Sequence, residues 1–191
     1  MTLDHDDLRR HVRQVVAATG RTSAMDAAVG ATLAAVGAAA GADGHDSLAL
    51  GQGADELFGG YAKVARLDSR VAADSTRAAV RETVRSLPDG LARDVPVLRA
   101  AGVEPVLPYL DDRVVRAALR LPARLLVRDD ERKVALRRVA ADRLPADLAA
   151  APKKAAQYGS YVSRELDRLA RQAGFKRRQD DHVRRYVESL C

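Results

Sequence analysis

The chain has 191 residues, a net charge of +6 and a single cysteine, Cys191. This length fits one domain with a substantial core, and a composition of 47 % hydrophobic and 30 % charged residues excludes a disordered tail. A lone cysteine forms no internal disulfide, so nothing favours an oxidising compartment. The first residues lack the apolar stretch of a signal peptide, and we expect a cytoplasmic protein. The basic balance leaves a nucleic-acid partner open.

Two helices are predicted at the start of the chain. Apolar residues recur on one helical face over residues 4–18. Ser23 followed by Asp26 resembles a capping box that opens an alanine-rich helix. Its apolar run, residues 27–42, is shorter than the roughly 20 residues that a bilayer needs. We therefore predict a buried helix of a soluble protein rather than a membrane span.

A short apolar run at residues 47–50 lies between glycine-rich turns and predicts a buried strand. The remaining patterns predict helices at 63–87, 91–101, from Asp111 or Asp112 to Pro122, 133–144, 161–172 and 180–190, a turn at 88–90, an extended stretch at 104–110 and a loop at 152–160. A single buried strand lacks neighbours for its backbone groups. The chain therefore resembles part of an α/β domain whose other strands are missing or supplied from outside.

The residues after the predicted strand are the best candidates for chemistry. Gly51 and Gly53 form a Gly-x-Gly turn where a strand ends, the place at which open α/β sheets bind ligands. A helix that follows offers N–H groups suited to phosphate. Asp55 and Glu56 add carboxylates, which beside a phosphate are typical of a bridging Mg²⁺. The alternative is that both acids only favour the first turn of that helix, and a lone Gly-x-Gly is a weak signal.

The longer string Leu-Ala-Leu-Gly-Gln-Gly-Ala-Asp-Glu-Leu-Phe-Gly-Gly-Tyr, residues 48–61, resembles the signature of the asparagine synthase family, the synthetase domain of glutamine-dependent asparagine synthetase. Three later segments, 108–111, 133–137 and 152–154, resemble further family motifs in the family's order. The resemblance covers about residues 23–159. It implies an α/β fold of the ATP-pyrophosphatase type with a parallel sheet, truncated here to a mainly α-helical chain with one or two short strands.

The resemblance also implies an activity. Family members activate a substrate carboxylate with ATP, release pyrophosphate and let an amine attack the acyl-adenylate. The implied cofactors are ATP and Mg²⁺, and the default reaction converts aspartate to asparagine.

Site residues follow by position in the motifs. Asp55 resembles the acid that binds Mg²⁺ and pyrophosphate, and Gln52 stands where many members carry a glutamate that handles the incoming amine. Lys153 resembles the lysine that stabilises charge on the reacting phosphate, with Lys154 as the adjacent candidate. The implied cofactor-binding residues are Gly51, Gly53, Asp55, Glu56 and Lys154.

The sequence departs from the family pattern in three respects. No Ser-Gly-Gly-x-Asp-Ser loop, the family's ATP loop, occurs in it. Residue two is Thr2, whereas the family's glutaminase domain begins with a nucleophilic cysteine. Gln52 is a neutral amide that does not act as a carboxylate base. We therefore expect a fragment or split subunit, with a second chain supplying the ATP loop and the glutaminase.

One alternative belongs to another class, namely a non-catalytic helical remnant that binds a partner or nucleic acid. The observation that supports this alternative is the positive charge. The charge is distributed unevenly, because residues 1–150 have a net charge of +1 and residues 151–191 one of +5. The excess begins at Lys153 and Lys154, where the family handles polyphosphate, so a phosphate-facing patch explains part of it better than a nucleic-acid surface. We predict one domain over residues 1–191 with a basic helical part at 151–191.

Overall fold

The computed structural model describes residues 2–65, 75–152, 156–178 and 180–191. The described strands are β1 (Ser47–Ala49), β2 (Glu104–Val106), β3 (Val127–Arg128) and β4 (Glu131–Arg132), and a 3₁₀ turn covers Pro108–Leu110. The described helices are α1 (His5–Thr19), α2 (Ala24–Ala42), α3 (Ala54–Phe58), α4 (Ala62–Ala65), α5 (Thr76–Arg85), α6 (Leu87–Ala100), α7 (Asp112–Ala118), α8 (Ala123–Leu126), α9 (Val134–Ala141), α10 (Ala146–Ala149), α11 (Ala156–Gly159), α12 (Val162–Gln172) and α13 (His182–Ser189). The prediction of a mainly helical chain is confirmed.

The chain divides into two compact units, each with its own core. The first unit consists of the described parts of residues 1–48, 90–105 and 153–191. The second unit consists of the described parts of residues 49–89 and 106–152. The prediction of one domain over residues 1–191 stays a prediction.

The core of the first unit is built by α1, α2, α12 and α13. These helices are amphipathic or alanine-rich, so their apolar faces are buried together. Its buried residues are Leu8, Val12, Ala27, Ala28, Ala31, Val162, Leu166, Leu169, Ala170, Tyr186 and Val187. A smaller cluster joins Val15, Ala34 and Val97.

Helix α2 approaches α1 closely because it is rich in alanine and carries a glycine, Gly30, at the point of contact. A Cβ on Gly30 would lie 2.7 Å from Cγ2 of Val15, which is closer than real Cβ contacts. By length and composition α2 is apolar enough to cross a membrane. The structure instead buries Ala27, Ala31 and Ala34 fully, as in the core helix of a globular unit. The prediction of a buried helix is confirmed for this face.

A buried charge network joins α2 to α6. Arg93 donates to Asp94 over 2.7 Å and to Asp26 over 3.2 Å. Asp94 is only 3 % exposed, and burial raises the pKa of its carboxyl. The guanidinium offsets part of the cost of burying these two carboxylates, so the network fixes how α6 lies on α2.

Strands β1 and β2 form a two-stranded parallel pair. The N–H of Glu104 donates to the carbonyl of Asp46, and the N–H of Leu50 donates to the carbonyl of Val106, both over 2.9 Å. Residues Ser47 and Ala49 are exposed, so the prediction of a buried strand is wrong. An apolar run predicts burial only where other strands and helices cover it, and no described sheet has more than two strands. The larger parallel sheet implied by the resemblance is therefore not confirmed.

The second unit is built around α3, which lies between two clusters. Leu57 and Phe58 of α3 pack with Ala118 of α7. Val64 of α4, Ala79 and Val80 of α5 and Leu126 of α8 form the other cluster. Strands β3 and β4 pair as an antiparallel hairpin whose two turn residues, Asp129 and Asp130, have φ values of 47° and 65°. These are the left-handed conformations that a two-residue hairpin needs, and the sequence analysis did not find this hairpin.

Three boundaries differ from the predictions. The prediction of a turn at residues 88–90 is wrong, because these residues lie in α6, which begins at Leu87. Pro88 lies in the first turn of that helix, where no N–H donor is required. The loop at 152–160 contains the short α11, and the extended stretch at 104–110 ends in the 3₁₀ turn. Part of the helix predicted at 63–87, namely residues 66–74, lies outside the described residues.

The close approach of α1 and α2 predicts opposite effects at two glycines of the same helix. Gly30→Ala forces a methyl group onto Val15, and we expect a loss of about 1–3 kcal/mol in the free energy of unfolding. Gly41→Ala meets nothing nearer than 3.8 Å, and we expect a gain of up to about 1 kcal/mol from helix propensity. Urea unfolding of both variants checks this, and equal effects at the two positions would contradict the described packing.

Candidate functional site

The glycine-rich turn lies between β1 and α3, in the second unit. Gly53 has a φ of 88°, and a Cβ there would lie 2.5 Å from Cδ2 of Leu110. Both observations require glycine at this position. Gly51 is different, because it is exposed and a Cβ there would meet nothing within 4 Å. The fold itself therefore accepts a side chain at Gly51, and only a ligand approaching this backbone would require glycine.

Helix α3, which follows the turn, is only five residues long. The N–H of Ala54 donates to the carbonyl of Gly51 over 3.1 Å, and the N–H of Leu57 donates to Gly53 over 2.9 Å. A helix of one turn has little dipole, and one of its first N–H groups is already used. The expectation of phosphate bound at this helix terminus therefore gains no support from the geometry.

Asp55 and Lys133 are brought together from two different motifs. Nζ of Lys133 lies 3.1 Å from Oδ1 of Asp55, with the two side chains 22 % and 24 % exposed. A Cβ on Gly60 would lie 2.7 Å from Cα of Asp55, so only glycine permits the chain to pass this close. Arg132, the residue before Lys133, donates to the carbonyl of Gly60 over 2.9 Å. The first and third motifs are thus joined at one point.

Glu56 points into the unit rather than towards a ligand. Its carboxylate accepts a 2.5 Å hydrogen bond from the hydroxyl of Tyr61, and the residue is 9 % exposed. The buried hydroxyl of Thr83 donates to its backbone carbonyl over 2.9 Å. These contacts hold Glu56 inside the unit. The structure therefore does not place this predicted binding residue at the surface beside Asp55.

The second motif packs against the glycine-rich turn and the helix that follows it. Tyr109 packs edge-on against Phe58, with ring centroids 5.8 Å apart, and Leu110 lies against Gly53. Asp111 caps α7 by accepting from the N–H of Arg113 over 2.9 Å. The side chain of Arg113 also donates to it, and these bonds lower the pKa of the Asp111 carboxyl to about 2. The helix predicted to begin at Asp111 or Asp112 is confirmed, and Asp111 is the residue that caps it.

The third motif ends with Arg137, whose guanidinium holds three backbone carbonyls. It donates to Arg132 over 3.1 Å, to Ala149 over 2.9 Å and to Ala151 over 3.1 Å. Arg137 therefore fixes the residue before Lys133 and the end of α10 at once.

The remaining predicted residues are less constrained. Gln52 is half-buried, and within the described part of the chain no hydrogen bond to its side chain is found. Lys153 and Lys154 lie outside the described residues. Their assignment as catalytic and binding lysines stays a prediction.

The described residues do not form a resident Mg²⁺ site. They contain no group of three or more potential ligands among His, Cys, Asp and Glu. Asp55 is a single carboxylate that already faces a cation. Magnesium commonly uses one or two carboxylates together with substrate phosphates, and Asp55 is one such carboxylate.

Sequence reasoning missed Lys133, Arg132 and Gly60 as parts of the site. Lys133 belongs to a recognised motif, but it lies 78 positions after Asp55 in the sequence. Nothing in a single sequence links such distant residues. The available signal was the order of the motifs, since the fold brings the first and third motifs into contact.

Together the turn, the carboxylate and the lysine define a candidate site for a charged ligand in a mainly helical protein. The model of the asparagine synthase family matches residues 67–189, well over half of the chain, and the chain therefore belongs to the asparagine synthase family. The match includes the second, third and fourth motifs and begins after the glycine-rich one. The predicted family is confirmed.

A relative from Methanocaldococcus jannaschii bears the name of a glutamine-hydrolysing asparagine synthetase. It is 29 % identical to this chain over 210 residues, which cover 93 % of this chain and 39 % of the relative. The chain thus spans well under half the length of the curated relative that it matches. The glycine-rich motif falls outside the family-model match, while the alignment with this relative takes in nearly the whole chain.

The two glycines of the turn predict separable effects. Gly53→Ala places an alanine at a positive φ against Leu110, and we expect a loss of roughly 1–3 kcal/mol in the free energy of unfolding. Gly51→Ala, the matched control, is expected to change it by less than about 0.5 kcal/mol. Urea unfolding measures both, and a large loss in Gly51→Ala would show that the turn is packed differently.

Proposed function

We propose that this chain supplies part of the synthetase site of an ATP-dependent ligase that forms an amide from a carboxylate. The single observation that carries the proposal is the contact between two family motifs, in which Lys133 of one meets Asp55 of the other beside the Gly51–Gly53 turn. Membership of the asparagine synthase family supports ATP use and amidation.

The proposed reaction has two steps. A carboxylate oxygen of the substrate attacks the α-phosphorus of ATP, forming a mixed acyl-adenylate anhydride, and pyrophosphate leaves with the electrons of the broken bond. Ammonia then attacks the acyl carbon, AMP leaves, and the nitrogen loses a proton to give the amide. Aspartate is the default substrate, and a cytoplasmic location is part of the same proposal.

This chain's residues would act on the phosphate side of the reaction. Lys153, by its place in the fourth motif, would offset the negative charge that develops on the phosphate oxygens, with Lys154 beside it. Asp55 would face the pyrophosphate portion of the magnesium complex of ATP, which enters as substrate. Gly51 would let the ligand approach the backbone, since the fold leaves the space of a Cβ open there.

Gln52 would orient the amine rather than deprotonate it. A neutral amide donates and accepts hydrogen bonds but does not take up a proton at neutral pH. The proton released on amide formation would therefore pass to water or to a group outside this sequence. This position distinguishes the chain from the family members that carry a glutamate.

The site would be completed by residues that this sequence does not contain. The sequence has no Ser-Gly-Gly-x-Asp-Ser loop, and 39 % of the relative's length is matched. We propose that a second polypeptide supplies this ATP loop and a glutaminase that releases ammonia from glutamine, so that this chain acts as a split subunit or fragment. The alternative of a non-catalytic helical remnant is not favoured by the comparisons.

Complementation tests the proposal. The full chain is mixed with the part of the Methanocaldococcus jannaschii relative that it does not match, and pyrophosphate release is measured with ATP, Mg²⁺, aspartate and ammonia. We expect release only from the mixture. Asp55→Asn should lower the rate on the order of 100-fold, because the carboxylate that would face the magnesium ion of the ATP complex is lost.

The matched control is Asp112→Asn, which removes an exposed carboxylate at the start of α7. We expect this variant to retain the rate of the wild-type mixture. Release that is unchanged in Asp55→Asn, or absent from the wild-type mixture while both polypeptides are folded, would count against the proposed function.

A further inference from the structure

The first unit contains a cavity of about 370 Å³. Every described residue that lines it belongs to this unit, whereas the glycine-rich turn lies in the second unit. Its walls come from the first residues of the chain, the start of α1, the middle of α2 and the start of α12. Voids left by imperfect packing are rarely much larger than a water molecule, while small-molecule sites span roughly 300–1,000 Å³. The size of this cavity is therefore that of a ligand site.

Part of the lining is apolar and firmly held by the core of the unit. Leu8 of α1, Ala35 of α2 and Val162 of α12 line the cavity, and each is at most 5 % exposed. Leu8 and Val162 also belong to the main hydrophobic cluster of this unit. Because packing fixes these side chains, they offer a preformed surface on which the apolar body of a ligand would lose its hydration.

The charged groups in the lining are acidic. Asp4 and Glu165 both line the cavity, and no described residue of the lining is a lysine or an arginine. The sequence as a whole shows the opposite balance, with 32 lysines and arginines against 26 acidic residues. Asp4 has no ion-pair partner among the described residues. An acidic cavity in a basic protein favours a cationic ligand and disfavours an anionic one.

Glu165 keeps a hydrogen-bond acceptor after its internal contacts are made. Nε2 of His5 lies 3.2 Å and a guanidinium nitrogen of Arg168 lies 3.4 Å from the same carboxylate oxygen, Oε2. No described residue forms a hydrogen bond with the other oxygen, Oε1. The side chain is 29 % exposed, so a small molecule can reach it from solution. Arg168 offsets part of the negative charge, and Asp4 supplies a second carboxylate.

The hydroxyl of Thr32 has already used its hydrogen. It donates to the carbonyl of Ala28, one turn earlier in α2, over 2.9 Å. Oγ of Ser160 lies 3.4 Å from Oγ1 of Thr32, so Thr32 is left to accept there. A hydroxyl oxygen has two lone pairs, and one of these remains for a ligand. The hydroxyl and the two carboxylates can thus all accept hydrogen bonds, and a primary ammonium has three N–H donors and no acceptor.

We infer that this cavity binds a small organic cation, namely a primary amine in its protonated form that carries a compact apolar group. The ammonium would bond to Glu165, Asp4 and Thr32, and the apolar group would lie against the buried side chains of the lining. The described residues contain no group of three or more potential metal ligands, so a metal ion is not the proposed occupant. The site is additional to the proposed ligase reaction and does not depend on it. The competing explanation is a cavity that holds only water.

Cyclohexylamine and cyclohexanol are matched probes, because they share one ring and differ in charge. Each is titrated into the full isotope-labelled chain at pH 8 in phosphate buffer, which contains no amine, and amide shifts in NMR spectra give the dissociation constant and the location. At this pH a primary alkylamine is protonated, while an ordinary imidazole is neutral. We expect cyclohexylamine to bind with a dissociation constant of about 1 mM or tighter and to shift the signals of Thr32, Ser160 and Glu165. Cyclohexanol should bind about tenfold more weakly or worse.

Three variants locate the site. Thr32→Leu enlarges a side chain of the lining, keeps both carboxylates, and should weaken cyclohexylamine binding by more than about tenfold. Glu165→Gln keeps the shape of the side chain without its charge and should weaken binding by about tenfold. Asp6→Asn, the matched control, removes an 88 % exposed carboxylate of α1 that does not line the cavity, and should leave the dissociation constant unchanged. Thermal unfolding shows which variants are folded, and Glu165→Gln suffices if Thr32→Leu is not.

The outcomes separate the two explanations. Cyclohexylamine binding that exceeds cyclohexanol binding, and that falls in folded Thr32→Leu and Glu165→Gln, supports the inference. Equal binding of the two probes, or no saturable binding of cyclohexylamine by the wild type, would overturn it. Binding that either folded variant retains at wild-type strength would also overturn it, because the amine would then lie elsewhere. None of these results affects the complementation test of the proposed function.

Discussion

The candidate site depends on the close passage of the backbone at Gly60 past the side chain of Asp55. A Cβ at residue 60 would collide with Asp55, so glycine alone lets the chain turn at this point. The carbonyl of Gly60 then accepts from Arg132, and the neighbouring Lys133 reaches the Asp55 carboxylate. One steric condition thus determines where a carboxylate, an ammonium and a guanidinium meet. The positions of these three charged groups therefore depend on the backbone at Gly60.

Other contacts of the second unit support this meeting point. Leu110 fills the space that a side chain at Gly53 would occupy, and Tyr109 packs on Phe58. Arg137 holds the carbonyl of Arg132 together with two carbonyls at the end of α10. These side chains touch the turn or the residues beside Lys133, so the recognised motifs form a supporting layer as well as a candidate ligand site. The place of such residues in the motifs is explained by their packing and hydrogen bonds rather than by contact with a ligand.

The sequence predicted local features best where a physical rule acts over a few residues. Helix α1, the helix capped by Asp111 and the last two helices were found from periodicity and capping signals. The family was also found from motifs. The buried strand at 47–50 was wrong, because burial depends on elements elsewhere in the chain. The turn at Pro88 was wrong, because proline is also at home in the first turn of a helix.

The site was predicted in part. Asp55 and the glycines stand at the turn that the motif indicated, and they are joined there by Lys133, to which no role had been assigned. Glu56 had looked like a second ligand because it adjoins Asp55, yet successive residues of a helix face different directions, and Tyr61 accounts for its carboxylate. Position in a motif indicates that a residue matters. Packing decides whether it serves the ligand or the fold.

We propose that this chain holds the phosphate-facing part of an ATP site, which a second polypeptide completes. Calorimetric titration with the magnesium complex of ATP tests this most directly, on the full chain alone and on the chain mixed with the unmatched part of the Methanocaldococcus jannaschii relative. We expect micromolar binding for the mixture and no such binding for the chain alone. Micromolar binding with pyrophosphate release by the chain alone would contradict it, because the site would then be complete within these residues.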